Sequence, residues 1–144
     1  MAKSDILISV EPRYFASILS GEKTVELRRR ALRVTEGARI WLYCKVPIAS
    51  ISAVCRLRYS ETLPVADLWT KHSSELALSR SEYDAYLDGR DTAHALVLDE
   101  VRSLDDPINL EAARALRLNF QPPQFFMHLR PGCDLKERLQ MAAG

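Results

Sequence analysis

The run Leu19-Ser20-Gly21-Glu22-Lys23-Thr24-Val25-Glu26-Leu27-Arg28-Arg29-Arg30 reads as the end of a helix, a turn and a strand in immediate succession. Upstream, residues 13–20 set Tyr14, Phe15, Ile18 and Leu19 at helical spacing, and Gly21 supplies the left-handed residue that ends a helix. From Thr24 to Arg28 the period changes to two. Val25 and Leu27 face one way, and Thr24, Glu26 and Arg28 face the other. A strand that lays Val25 and Leu27 on a core therefore presents an acid and a base opposite, with Lys23 at the turn where it begins. Such a face can hold an anion and a hydrogen-bonding base together. Charges on an edge strand also deter edge pairing, and Glu26 and Arg28 can satisfy each other as a same-face pair. Spacing alone leaves a solvated or structural role open beside a functional one.

The segments on either side extend the pattern. Ile6 to Val10 is a short apolar run, read as a buried strand, and Glu11-Pro12 opens the helix. A turn at Glu36-Gly37 leads into a strand over Ala38 to Val46, with Ile40, Leu42 and Cys44 opposite Trp41 and Tyr43, and Pro47 stops it. Ile51 to Tyr59 is a further strand whose broken alternation predicts a bulge. Pro64 to Leu78 and Ser81 to Leu87 read as helices, the second capped by Ser81. Ala93 to Val101 returns to strand, Asn109 caps a helix ending near Leu118, and Phe120 to Leu129 reads as a last strand. Lys136 to Ala142 forms a short terminal helix or frays. The fold class expected is α+β, a small mixed β-barrel of five to six strands with inserted helices.

Composition narrows the function classes. The chain of 144 residues is expected to be one domain, with a core over about residues 5–130 and a tail over 131–144. Hydrophobic residues at 47% and charged residues at 27% are ordinary for a globular chain. A net charge of +1 gives no global attraction for nucleic acid, so any such binding must rest on a local patch. Cys44, Cys55 and Cys133 are three in number and unclustered, which argues for a reducing compartment. The opening residues lack the pattern of a signal peptide, and no apolar run suits a membrane span. The location expected is cytoplasmic, without membrane association.

Gly21-x-Lys23-x-x-Glu26-x-Arg28, preceded by a strand and an amphipathic helix, resembles the ASCH domain, a PUA-like β-barrel family. Trp41 to Pro47, Tyr86-Leu87-Asp88-Gly89 before the Ala93 strand, and Pro122-Pro123-Gln124-Phe125-Phe126 add to the resemblance, in the same order over about residues 5–130. The resemblance implies a barrel with a cleft beside Gly21–Arg28 that takes RNA, a nucleotide or a modified base, with a regulatory role in transcription or translation. It also implies two hydrolase alternatives. One branch of small ASCH proteins hydrolyses N4-acetylcytidine with the motif lysine, a threonine on the next strand and a distant glutamate. Another relative is described as a ribonuclease on single strands.

Residue by residue, Lys23 matches the motif lysine, which could accept a hydroxyl proton if shielded from water. The position that resembles the hydrolase threonine is Glu26, a poor substitute for a hydroxyl in acyl transfer, while Thr24 carries a hydroxyl roughly 7 Å away along the strand. If the protein is an enzyme, Lys23, Thr24 and Glu26 are the catalytic candidates. For nucleic-acid binding the candidates are Lys23, Glu26, Arg28, Arg29 and Arg30, with Trp41 and Tyr43 as stacking platforms. Glu26 would accept from an amino-bearing base edge, the cations would meet phosphate, and one of the two faces around Trp41 must still be core. Glu75, Glu82 and Asp88 are candidates for a distant acid. His72, His94 and His128 lack ligand spacing, and no phosphate-binding glycine motif occurs, so no metal and no cofactor is expected. The expected partner is RNA or a nucleotide-like ligand. A protein-interaction module without nucleic acid is the third class.

Overall fold

The computed structural model describes residues 5–130 and 132–143. β1 (Asp5–Val10) is buried at every position, as an apolar run covered on both faces requires. α1 (Pro12–Ser20) follows, with proline in its first turn, and ends at Gly21 with φ +86°. β2 (Val25–Arg28), β3 (Arg39–Cys44) and the long β4 (Ser50–Pro64) come next. α2 (Val65–His72), a 3₁₀ turn (Ser73–Glu75) and α3 (Arg80–Tyr86) form the central helical insertion. β5 (Thr92–Asn109), α4 (Leu110–Leu116), β6 (Met127–Leu129) and α5 (Asp134–Ala142) complete the order. No helix among the described residues is long and apolar enough to cross a membrane.

The six strands make one mixed sheet in the order β2-β5-β4-β3-β1-β6, an α+β fold as expected. Only β1 and β3 run parallel among these pairs; the others are antiparallel. Bulges shift the register of β4 against both neighbours, where the broken alternation over Ile51–Tyr59 placed one.

Three packed clusters follow from strand alternation. Ile6, Ile8, Ile40, Leu42, Leu57 and Leu96 face inward with Phe15 and Ile18 of α1. On the opposite face Leu7, Trp41, Tyr43 and Ile51 pack under Leu135 and Leu139 of α5. Val25 and Leu27 turn away from the first cluster and lie against Leu68 of α2 and Tyr83 of α3. Glu26 and Arg28 are thereby directed into the roll of the sheet.

The backbone ladder leaves β2 and β6 as ends. Arg28 spans the gap between them: its guanidinium donates to the Ser9 carbonyl of β1 at 3.1 Å and to the Phe125 carbonyl ahead of β6 at 3.3 Å. A side chain, not a strand pair, joins the two ends of the rolled sheet.

Several boundaries differ from those read in the sequence. β4 and β5 pair with each other out to Pro64 and Thr92, well past Tyr59. Of Phe120–Leu129 only the last three residues are strand, because Pro122 and Pro123 have no N–H for a ladder. The cap of α3 is Ser79, not Ser81; a full capping box with Glu82 fixes it. Asn109 caps α4 as expected, its side chain accepting from the Ala112 amide at 2.8 Å. α5 begins two residues earlier than read, at Asp134.

Candidate functional site

A cleft of about 330 Å³ opens where α1, β2 and α3 converge on the mouth of the roll. Its lining comes from separate parts of the chain: Ser9, Tyr14, Lys23 with Glu26 and Arg28, Lys45, Tyr86 and Gln124 among them. Period two on β2 puts the charged pair inward, and the Gly21 turn then carries Lys23 over the same opening.

The floor is a buried charge group. Lys23, Glu26 and Arg28 expose only 2, 6 and 8% of their surfaces. Glu26 Oε2 accepts from Arg28 Nη2 at 2.7 Å, while Lys23 Nζ stands 3.6 Å from Oε1. Lys23 Nζ also donates to the Leu76 carbonyl at 2.7 Å and lies 5.1 Å from the centre of the Tyr14 ring. Burial is the largest influence on the Lys23 ammonium and lowers its pKa from the ordinary 10.5, against the opposing pull of Glu26. Arg28 Nε is buried and has no hydrogen-bond partner among the described residues.

Two tyrosines stand on the walls. Tyr14 and Tyr86 both have pKa values raised by burial, and the Tyr86 hydroxyl donates to the Leu27 carbonyl at 3.4 Å. Arg29 lies over the Tyr86 ring at 4.5 Å and donates from Nε to the Tyr86 carbonyl at 2.9 Å. At the rim, Arg13 of α1 forms a bidentate ion pair with Glu82 of α3. That pair holds the Glu82 carboxyl down at about 2. Lys45 pairs with Glu11 at 3.2 Å.

The residues read from the sequence divide accordingly. Lys23, Glu26, Arg28 and Arg29 meet at the cleft. Arg30 is exposed and lies over the Phe125 ring at 4.5 Å, outside the lining. Thr24 turns toward Glu75, its hydroxyl donating to the carboxylate at 3.3 Å, and does not line the cleft. Trp41 and Tyr43 are placed elsewhere: both are buried under α5. The Trp41 indole donates to Asp5 at 3.0 Å, so neither ring offers a face to a ligand. The reason is the register of β3, which gives the inward side to Ile40, Leu42 and Cys44. Of the candidate distant acids, Glu82 lines the cleft, while Glu75 holds Thr24. Tyr14 and Tyr86 are the aromatic walls that the sequence reading did not single out. Their helical spacing beside a charged strand was the available signal. Among the described residues no three of His, Cys, Asp and Glu converge as a metal cage.

No protein-family model matches the chain. It is 36% identical over 128 residues to a Zymomonas mobilis protein named ASCH domain-containing ribonuclease, an alignment that covers 89% of this chain and 86% of that one. The crystal structure of an ASCH protein from Zymomonas mobilis superposes with a TM-score of 0.89 at 34% identity, covering 95% of this chain and 94% of the other. A Ureaplasma parvum protein named large ribosomal subunit protein uL22 is 26% identical over 105 residues, 73% of this chain but 34% of its own length.

Proposed function

The chain belongs to the ASCH domain family, and from that premise we propose that it binds single-stranded RNA and seats one nucleotide in the cleft beside Gly21–Arg28. The observation that carries this reading is the Lys23–Glu26–Arg28 group, buried at the floor of an opening large enough for a small ligand. Charged side chains are expensive to bury and seldom gathered without a reason, and here they lie at the base of a cleft. Tyr14 and Tyr86 supply planar surface for a base, and Arg29 at the mouth supplies a phosphate partner. A duplex keeps its bases stacked inside, so only an unpaired nucleotide can enter such a cleft. With a net charge of only +1, affinity must come from this local arrangement.

Phosphodiester cleavage is a second reading, favoured by the relative named a ribonuclease. In that chemistry a 2′-hydroxyl attacks the adjacent phosphorus, its proton passes to a base, and the 5′-oxygen leaves as an alcohol with a proton taken from water. Burial lowers the pKa of Lys23, which raises the share of amine able to accept the proton of the 2′-hydroxyl. Hydrolysis of an N4-acylated cytidine has less support, because Glu26 stands where the hydroxyl would be needed and Thr24 is turned away.

Fluorescence anisotropy with a labelled single-stranded oligoribonucleotide, repeated across salt concentrations, tests the reading. Affinity should fall linearly on a log–log plot with salt. The exposed Arg29→Ala variant should bind several-fold more weakly with an unchanged melting temperature. Chromatography of the same mixtures reports cleavage, and loss of products in Lys23→Met would favour the second reading. An oligonucleotide that stays free at low salt would overturn both.

A further inference from the structure

The hydrogen-bonding capacity left over at the cleft floor is specific enough to name a base. Glu26 Oε2 accepts one bond, from Arg28 at 2.7 Å. Oε1 has Lys23 Nζ as its near cation at 3.6 Å, beyond hydrogen-bond length. A carboxylate offers about four acceptor sites, so most of the capacity of Glu26 remains unused. Lys23 carries three N–H donors and commits one to Leu76. An acceptor with spare lone pairs and a donor with spare protons thus stand side by side, both on cleft-lining residues and both more than nine-tenths buried.

A ligand that satisfies both must offer N–H groups to the carboxylate and, next to them, an acceptor to the ammonium. We infer that the cleft selects guanine, whose Watson–Crick edge carries that order: the N2 amino group, the N1–H and then the O6 carbonyl. N2–H and N1–H donate to the two oxygens of Glu26, and O6 accepts from Lys23. The other bases match only in part. Uracil has one N–H set between two carbonyls, so one carbonyl faces the carboxylate. Cytosine and adenine each offer an amino group beside a bare ring nitrogen, one donor position where guanine has two. Mismatch leaves buried lone pairs without a partner, which costs more than a missing contact at a surface. Tyr14 and Tyr86 accept any base by stacking and so add affinity without choice. The carboxylate sets the preference.

This inference rests on the RNA reading above, and its test separates the two. A short labelled oligouridylate is prepared with one central guanosine, adenosine, cytidine or inosine, and each is titrated against the wild-type protein. The guanosine oligonucleotide should bind tenfold or more tighter than the adenosine, cytidine and all-uridine probes. Inosine keeps N1–H and O6 but lacks the amino group, and should fall between. Guanosine monophosphate should displace the probe at concentrations where uridine monophosphate does not. Glu26→Gln, which replaces one acceptor oxygen by an amide donor, should level the series while salt-dependent binding persists. The inosine arm stands even if that variant folds poorly. Equal affinity for every probe would overturn the guanine inference and leave the RNA reading intact, whereas no binding by any probe would overturn both.

Discussion

Glu26 lies between Arg28 and Lys23 with almost no solvent, so each substitution there is governed by which charge it strands. Glu26→Ala leaves two buried cations facing each other and should cost about 3–5 kcal/mol of unfolding free energy. Lys23→Met removes one cation and the donor to the Leu76 carbonyl but leaves Glu26 paired with Arg28, so its cost should be smaller, about 1–3 kcal/mol. Urea titration of the two variants checks the order. Similar losses would mean that Lys23 and Glu26 are coupled more tightly than 3.6 Å suggests. His94, directly opposite Arg28 in the β2–β5 register, makes a second prediction. Its Nδ1 meets Thr62 at 2.9 Å, its Nε2 is buried without a partner among the described residues, and burial lowers its pKa from 6.5. The unfolded chain therefore binds a proton at a pH where the fold still refuses it. Stability from this residue is fully present above about pH 6.5 and declines below it, by at most about 1.4 kcal/mol per pH unit, until the folded-state pKa is passed. Denaturant titrations from pH 7.5 down to 5 should show that slope in the wild type and a shallower one in His94→Leu. Parallel slopes would assign the acid sensitivity to other groups.

Among the elements, α3 forms the side of the cleft that faces the charged strand β2. Its seven residues carry Glu82 on the rim and Tyr86 on the wall, and the capping box at Ser79 fixes where it starts. Ser79→Ala removes the hydroxyl that accepts from the Glu82 amide and leaves the Ser79 amide still donating to the Glu82 carboxylate, at about 1 kcal/mol. It also frees Glu82 from one of the groups that hold its carboxyl at about 2. Binding of the oligonucleotide probe should weaken along with the melting temperature, since Tyr86 is carried at the other end of the same short helix. A lower melting temperature with unchanged affinity would show that the wall is set by β2 instead. At this scale the sequence was informative where one physical signal dominated. Period two over Val25–Arg28 marked both faces of β2, though not the turn of Thr24 toward Glu75, and Gly21 and Asn109 marked helix ends. It was less informative where two signals competed. Ser79 and Ser81 both suit a cap, and only the reach of Glu82 back to Ser79 separates them. The far half of β4 pairs with the start of β5, and the far half of β5 with the start of β4, so the strand state of these more polar ends comes from distant partners that no local pattern shows.

Over the whole molecule, the cleft is a product of the roll. Ser9, Lys45, Tyr86 and Gln124 are brought to Lys23 by strand order and by α3, so the charged strand was legible in the sequence and its surroundings were not. Trp41 and Tyr43 show the same limit from the other side: alternation assigned them a common face, but only the position of α5 tells which face is covered. What joins the two ends of the roll is Arg28, with bonds to Ser9, to Phe125 and to Glu26. Removing the guanidinium should therefore do more than weaken one strand. In Arg28→Met the carbonyls of Ser9 and Phe125 lose their donor, Glu26 keeps only the distant Lys23, and about 3–5 kcal/mol should be lost. The loss should also be uneven. Hydrogen exchange should quicken at the β2 amides and around Phe125–Phe126, where the ends part, while β3 and α5 on the opposite face keep protection in proportion to global stability alone. Uniform acceleration at every amide would mean that the ladder of β2 on β5 holds the roll by itself, with Arg28 serving the cleft and not the fold.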